Sequence, residues 1–99
     1  MNKALEEFKS FLINWTEYFK YRAKLRGFEL NMLENILRYS EERYLDIISL
    51  NKVTVGKHGR KLVLIPYEIK GNIITPVTVH ATTRKQINFR IKSGRFKYE

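Results

Sequence analysis

The sequence contains no cysteine, only two prolines and one tryptophan, and no long apolar run. The absence of cysteine excludes a disulfide framework and a zinc site built from thiolates. The longest uninterrupted apolar stretches, such as Leu62–Ile65, span only a few residues, whereas a membrane-spanning helix needs roughly 20 apolar residues. The first residues include Glu6 and Glu7 and do not resemble a secretory signal peptide. We therefore expect a cytoplasmic protein with no membrane partner.

Acidic residues are also scarce, and this imbalance is the main clue to a partner. The chain has 10 Asp and Glu against 19 Lys and Arg, which gives a formal net charge of +9 over 99 residues. A positive field concentrates polyanions at a protein surface, so RNA, DNA, an anionic membrane surface or an acidic protein are natural candidates. A hydrophobic content of 43% is typical of a folded chain, and we expect a single domain over residues 1–99. No cluster of metal-ligating residues is evident, and no cofactor is expected.

Apolar residues recur at helical spacing through the first quarter of the chain. The residues that follow one another at intervals of three and four are Leu5, Phe8, Leu12, Trp15 and Phe19. This spacing predicts one long helix over about residues 3–26 with these side chains on one face, packed in the core or against a second protein. Gly27 follows as the glycine that commonly ends a helix, and a second helix is predicted over about residues 29–41.

After Ser40 the spacing of apolar residues changes to two, which is typical of strands. The predicted strands cover about residues 44–50, 52–57, 60–69 and 72–81, with hairpin turns at 56–59 and 70–72. Residues 83–92 fit a short helix, with Thr83 and Gln86 as a capping box, or a strand; the helix is favoured. The sequence therefore predicts an α+β fold in which two N-terminal helices pack on a three- to four-stranded antiparallel sheet, followed by a short C-terminal helix or strand.

The segment HATTRKQINFR, residues 80–90, combines residue types suited to phosphodiester chemistry. His80 follows a predicted strand, and an imidazole with a pKa near neutral can act as a general base or acid. Arg84 can stabilise charge that develops on a scissile phosphate, and Lys85 and Arg90 can bind neighbouring phosphates. RNA fits this chemistry best because its 2′-hydroxyl is a built-in nucleophile. A single histidine after a strand is nevertheless more often structural or merely exposed.

Two other groups of residues are candidates for RNA contact. Tyr18, Arg22 and Arg26 are spaced four apart and lie on one side of the first predicted helix, where the two guanidiniums can bind phosphates. The same side chains can equally face solvent or pair with acidic residues of the second helix. Lys57 lies in a predicted hairpin turn and Arg60 directly after it, and both are expected to contribute charge to phosphate binding rather than catalysis.

Two stretches of the chain resemble known families. Residues 53–90, with the sequence VTVGKHGRKLVLIPYEIKGNIITPVTVHATTRKQINFR, resemble the C-terminal half of the BrnT toxins, whose motif ISAR-x-A-[ST]-x-x-E corresponds to residues 78–86. The helical half is similar to a related domain family whose first helix carries the pattern HAxxRxxxRGI. The residues that correspond to this pattern are Tyr18, Arg22, Arg26, Gly27 and Phe28. Tyr18 stands where that family has histidine, His80 stands near a BrnT arginine, and Gln86 replaces the usual glutamate.

The resemblance spans about residues 18–92 and implies a RelE-like fold, with residues 1–17 as an N-terminal helical extension of a toxin-like core. It implies a metal-independent ribonuclease of a type II toxin–antitoxin system, with a small acidic antitoxin as partner. Under this hypothesis His80, Arg84 and Tyr18 are catalytic. The substrate-binding residues are then Arg22, Arg26, Lys57, Arg60, Lys85 and Arg90. Two alternatives are a non-catalytic nucleic-acid-binding or regulatory module, and an interaction protein that forms homo-oligomers through its first helix.

Overall fold

Three helices and a mixed seven-stranded sheet make up the part of the chain that the structure, a computed structural model, describes: Phe8 and residues 10–99. The helices are α1 (Glu17–Leu25), α2 (Leu30–Tyr39) and α3 (Arg84–Lys92). The strands are β1 (Leu12–Ile13), β2 (Arg43–Asp46), β3 (Lys52–His58), β4 (Lys61–Lys70), β5 (Ile73–Pro76), β6 (His80–Thr82) and β7 (Phe96–Tyr98). The α+β class is as predicted, but the sheet has more strands than the three or four expected. None of the helices in these residues is both long and apolar enough to cross a membrane.

The sheet is organised around the long strand β4. The strand order is β1-β5-β4-β3-β2-β7. Every residue of β3 pairs with a residue of β4. On its other side β4 pairs with β5 at its C-terminal end and with β6 nearer its start, where Leu64 is the partner of His80. Strand β6 therefore holds His80 next to the middle of the sheet.

Helices cover both faces of the sheet. Along β4, Val63, Ile65 and Tyr67 belong to the core that α1 and α2 cover, whereas Leu64 belongs to a second core around Ile87 of α3. Alternate residues of β4 are thus buried on opposite faces, which explains why Leu62–Ile65 is a continuous apolar run. Helices α1 and α2 share one face of the sheet, as the sequence predicts.

The predicted long first helix is interrupted: Phe8 and Ser10 are helical, but residues 11–16 are not. Leu12 and Ile13 form the edge strand β1, parallel to β5, with Leu12 N donating to Asn72 O at 2.9 Å. Helix α1 begins only after Thr16, whose Oγ1 accepts a hydrogen bond from Phe19 N at 3.1 Å. The open edge of β5 supplies backbone partners that helical spacing alone cannot reveal, and the sheet is mixed rather than antiparallel for the same reason. Residues 3–7 and 9 of the predicted helix, and with them residues 1–7 and 9 of the predicted 1–17 extension, lie outside the described residues.

The aromatic face predicted for this helix is divided between core and surface. Phe8 and Phe19 are buried, Trp15 is half-buried against the core, and Leu12 is 62% exposed. The buried members pack on the protein's own sheet, so that part of the face is used within the chain.

Two predicted strands differ from the observed ones: one ends early and the other is divided. The first stops at Asp46, because Asp46 Oδ1 accepts hydrogen bonds from the N–H groups of Ile48 (3.0 Å) and Ser49 (3.4 Å) and forms a turn. The strand predicted over residues 72–81 divides into β5 and β6, and residues 77–79 between them are not in a strand. The helix favoured over residues 83–92 is confirmed, and Thr83 Oγ1 caps it by accepting from Gln86 N at 3.1 Å. Strand β7 was not predicted.

Candidate functional site

Four basic side chains from three elements converge where β6 begins. Arg26 Nη1, at the end of α1, donates hydrogen bonds to Val79 O at 2.6 Å and to His80 Nδ1 at 2.8 Å. Arg22 of α1 and Arg90 of α3 are close enough for their charges to act on His80. We call Arg22, Arg26, His80 and Arg90 the His80 cluster.

The end of α1 brings its two arginines to β6. Gly27 has a φ of +77°, and Phe28 N donates to Ala23 O at 2.8 Å while Gly27 N donates to Lys24 O at 3.1 Å, the hydrogen bonds of a Schellman motif. The helix thus ends at the predicted glycine. Phe19 and Ala23 are buried in the core. Arg22 and Arg26, one turn apart, therefore lie on a neighbouring side of α1, toward β6.

His80 is held as a neutral imidazole. Partial burial of the ring is the largest cause that lowers the pKa of His80 from its ordinary value, followed by the positive charges of Arg26, Arg22 and Arg90. A guanidinium has no acceptor atom, so His80 Nδ1 must accept the hydrogen bond from Arg26 and the ring proton must lie on Nε2. At neutral pH the cluster therefore carries its positive charge on the arginines. The lone pair of His80 Nδ1 accepts the hydrogen bond from Arg26.

Arg22 presents a donor without a partner. Its guanidinium carbon lies 6.0 Å from the ring centroid of Tyr18, which is 59% exposed. Among the described residues, Arg22 Nε is buried and has no hydrogen-bond partner. Buried polar groups are nearly always satisfied in folded proteins, so this N–H can bind an oxygen of an anion once the Arg22 side chain moves to expose it.

A pocket of about 270 Å³ opens beside the cluster. It is lined by Leu64, His80, Ala81, Thr82, Gln86 and Arg90. Thr82 Oγ1 donates to Gln86 Oε1 at 3.1 Å, which leaves the amide N–H groups of Gln86 as further donors. The pocket is at the small end of ligand sites in proteins and combines an imidazole, a guanidinium and an amide.

Arg84, which the sequence suggested as catalytic, is engaged elsewhere. Its Nη1 and Nη2 bind Glu42 Oε2 and Oε1 at 2.5 and 3.0 Å, and Glu42 Oε2 also accepts from Tyr44 Oη at 2.6 Å. Burial alone would raise the pKa of Glu42, but the hydrogen bonds from Arg84 and Tyr44 outweigh it and lower this pKa. Arg84 neither lines the pocket beside His80 nor contributes to the lowered pKa of His80, so the structure does not place it in the cluster.

Lys57, Arg60 and Lys85 also lie outside the His80 cluster. Lys57 and Arg60 are exposed on the β3–β4 hairpin, and Lys85 lines a separate groove along α3. In the same hairpin His58 Nε2 accepts a hydrogen bond from Glu29 N at 2.9 Å, just before α2 begins. His58 is therefore a structural residue that fixes the hairpin to the start of α2.

Gln86 is the site residue that sequence reasoning placed only as a cap. It lies four positions before Arg90, so once α3 is a helix the two side chains share one side of it.

Among the described residues, no group of three or more His, Asp and Glu side chains is placed to hold a metal ion. In comparisons with family models, characterised proteins and solved structures, no match to this chain is found.

Proposed function

We propose that this protein is a metal-independent ribonuclease of the toxin kind, which cleaves RNA at the His80 cluster by attack of the 2′-hydroxyl on the adjacent phosphorus. The contact of 2.8 Å between Arg26 Nη1 and His80 Nδ1 carries the proposal. It places an imidazole, which can transfer protons near neutral pH, directly beside a guanidinium and within the field of two more.

The arginines supply binding and charge stabilisation. A guanidinium binds phosphate oxygens through two parallel N–H donors, and Arg22 Nε is a donor that no described protein group occupies. As the 2′-oxygen attacks, negative charge accumulates on the phosphate oxygens. Fixed positive groups at that position stabilise the transition state more than the bound substrate.

His80 supplies the proton transfer. An anionic phosphate oxygen is a stronger acceptor than a neutral imidazole, so bound RNA draws Arg26 Nη1 to the phosphate and frees His80 Nδ1 to accept the proton of the 2′-hydroxyl. The 2′-oxygen bonds to phosphorus, the bond to the 5′-oxygen breaks, and the imidazolium returns the proton to that oxygen. The products are a 2′,3′-cyclic phosphate and a 5′-hydroxyl.

The resemblance to toxin families supports the same proposal. Tyr18, Arg22 and Arg26 correspond to the helix pattern of the related family, and two of the three are cluster arginines. A RelE-like arrangement, a cytoplasmic location and a small acidic antitoxin belong to this proposal. Within it Arg90, which lines the pocket, takes the charge-stabilising role that the sequence suggested for Arg84.

A nucleic-acid-binding module without catalysis is the second candidate. It is favoured by the hydrogen bond that already uses the lone pair of His80 Nδ1. The arginines would still bind phosphates if that bond persisted in the complex.

The test is to incubate the purified protein with mixed RNA in EDTA and to analyse the products for 2′,3′-cyclic phosphate ends. We expect His80→Ala to reduce the cleavage rate by about a hundredfold or more while RNA affinity changes only a few-fold. Lys57→Ala, an exposed change on the hairpin, should cleave like the unmodified protein. Salt-sensitive RNA binding without cleavage selects the binding module, and no RNA affinity at low salt rejects both functions and leaves the interaction protein.

A further inference from the structure

A second surface shares Gln86 and Arg90 with the pocket beside His80. It is a groove of about 820 Å³ between the exposed side of α3 and the turn that follows β2. We call it the α3 groove and define it by Ile47, Ile48, Lys85, Phe89, Arg90 and Arg95.

The floor of the α3 groove is apolar and open to solvent. Phe89 and Ile48 are each 70% exposed, and Ile47 is 47% exposed. Contiguous apolar side chains of this kind, surrounded by polar residues, mark interaction sites more often than plain surface. The proposed chemistry at His80 makes no use of these three residues.

The groove is held in shape before any partner binds. Asp46 Oδ1 accepts from Ile48 N and Ser49 N, and Ile47 N donates to Arg95 O at 3.0 Å. Arg95 Nε and Nη2 donate to the two oxygens of Asp46 at 3.0 and 2.9 Å. Because the turn is fixed at both backbone and side chain, a partner does not have to pay the entropy of ordering it.

Charge around the groove selects the kind of partner. The charged residues that line it are Lys85, Arg90 and Arg95, and no Asp or Glu is among the lining residues. Arg95 is neutralised by Asp46, which leaves Lys85 and Arg90 as positive groups at the edge of an apolar floor. A second copy would bring the same cations and a net charge of +9, so like-charge repulsion opposes self-association through this surface.

The chemistry of the floor distinguishes a polypeptide from a nucleic acid. Nucleic-acid surfaces offer stacked aromatic side chains for bases, whereas Ile47 and Ile48 make up two of the three apolar residues here. Aliphatic side chains beside one aromatic ring fit the apolar face of an amphipathic helix laid in a groove. We propose that the α3 groove is a docking surface for an amphipathic, acidic polypeptide segment, whose apolar side chains contact Ile47, Ile48 and Phe89 and whose carboxylates pair with Lys85 and Arg90.

The test measures binding of three synthetic acidic peptides by fluorescence anisotropy, each about 16 residues or four helical turns long. The three place leucines at different helical spacings, and a scrambled peptide of the same composition is the control. At least one helical peptide should bind ten times more tightly than the scrambled one. Ile48→Asp and Lys85→Glu should each weaken that binding about tenfold. Leu12→Asp, an equally exposed change on the opposite edge strand β1, should leave it within twofold.

Three results would overturn the proposal. The first is that helical and scrambled peptides bind equally or that none binds. The second is an RNA affinity that falls with Ile48→Asp and Phe89→Ala but not with Leu12→Asp. The third is concentration-dependent self-association that Ile48→Asp removes. The second would assign the groove to nucleic acid and the third to another copy of this chain. Peptide binding should persist in His80→Ala, so failure of the ribonuclease function and failure of this proposal are separable.

Discussion

At the scale of single residues, Arg43 carries a positive charge into the core. It is 9% exposed, and its Nη2, Nε and Nη1 donate to Leu37 O at 2.6 Å, Ser40 O at 2.9 Å and Tyr67 Oη at 3.2 Å. Its guanidinium carbon lies 4.0 Å from the ring centroid of Phe8. One side chain thus joins the end of α2, the strand β4 and the N-terminal segment.

Replacing Arg43 should therefore destabilise the fold strongly. Arg43→Met keeps most of the volume but leaves three acceptors without their donor, and we expect the free energy of unfolding to fall by about 3 kcal/mol. Urea denaturation measures this change. Arg60→Met, at an exposed position, should change it by about 0.5 kcal/mol or less; equal effects of the two substitutions would mean that the contacts of Arg43 contribute little.

Asp46 makes stability depend on pH in the acidic range. Burial alone would raise its pKa, but hydrogen bonds from Arg95 and from the turn at Ile48 and Ser49 lower the pKa of Asp46 to about 2 from an ordinary 3.8. Because the folded pKa is the lower one, this contribution is fully present above pH 4 and is lost as the pH falls toward 2. It amounts to on the order of 2 kcal/mol.

Thermal unfolding between pH 2 and 6 tests this prediction. Asp46→Asn should show a shallower loss of stability below pH 4 than the unmodified protein. A variant that keeps the same slope would show that other carboxylates cause the acid transition.

At the scale of elements, the contact between β3 and α2 depends on a glycine. A Cβ built on Gly56 would lie 2.8 Å from Ile36 Cγ2 and 2.9 Å from Ile36 Cγ1, both shorter than van der Waals contact. Gly56 was predicted to begin a hairpin turn, but it lies within β3 and its role is to let the helix approach the strand.

Gly56→Ala should consequently destabilise the protein by about 1 to 3 kcal/mol through overpacking. Combined with Ile36→Ala, which removes both crowded carbons, it should cost clearly less than the sum of the two single changes. The measurement is a double-mutant cycle of unfolding free energies. Additive costs would locate the strain away from Ile36.

The elements that could be predicted are those whose own residues determine them. Helix α3 follows from the capping box of Thr83 and Gln86, and the end of α1 follows from Gly27. Strands β1 and β7 could not be predicted, because each consists of two or three residues whose partners lie far along the chain: Leu12 pairs with Ile73, and Tyr98 with Tyr44. Helical spacing from Phe8 to Phe19 was misleading, since the edge of β5 competes with the helix for the backbone of Leu12 and Ile13.

At the scale of the whole molecule, the candidate site joins segments that are distant in sequence. Tyr18, Arg22, Arg26 and His80 could be selected from residue types and spacing, but Arg26 and His80 are 54 positions apart and only the β4–β6 pairing brings them together. The ion pair of Arg84 with Glu42 was equally inaccessible, because Glu42 precedes β2 while Arg84 begins α3. The sequence thus predicts which residues are chemically suited to the site, but not which of them contact one another.

The net positive charge should appear as salt-dependent RNA binding that depends on the His80 cluster. If its three arginines each contact one phosphate, a plot of log affinity against log salt for single-stranded RNA should have a slope of about −2, or roughly −0.7 per contact. Arg22→Gln combined with Arg26→Gln should flatten this slope to about −0.7. Lys57→Gln with Arg60→Gln changes the net charge by the same amount and should leave the slope nearly unchanged, whereas equal flattening by both pairs would indicate diffuse attraction without a site.

The two proposed sites share residues of helix α3, since Gln86 and Arg90 line both the pocket beside His80 and the α3 groove. One guanidinium cannot satisfy a phosphate on one side and a carboxylate on the other at full strength, so the two ligands compete for it. Such antagonism is reciprocal: the factor by which an acidic segment weakens RNA binding equals the factor by which RNA weakens the hold on that segment. Under both proposals, the shared nine-residue helix lets the concentration of one ligand set the fraction of protein that binds the other. No change of fold is needed.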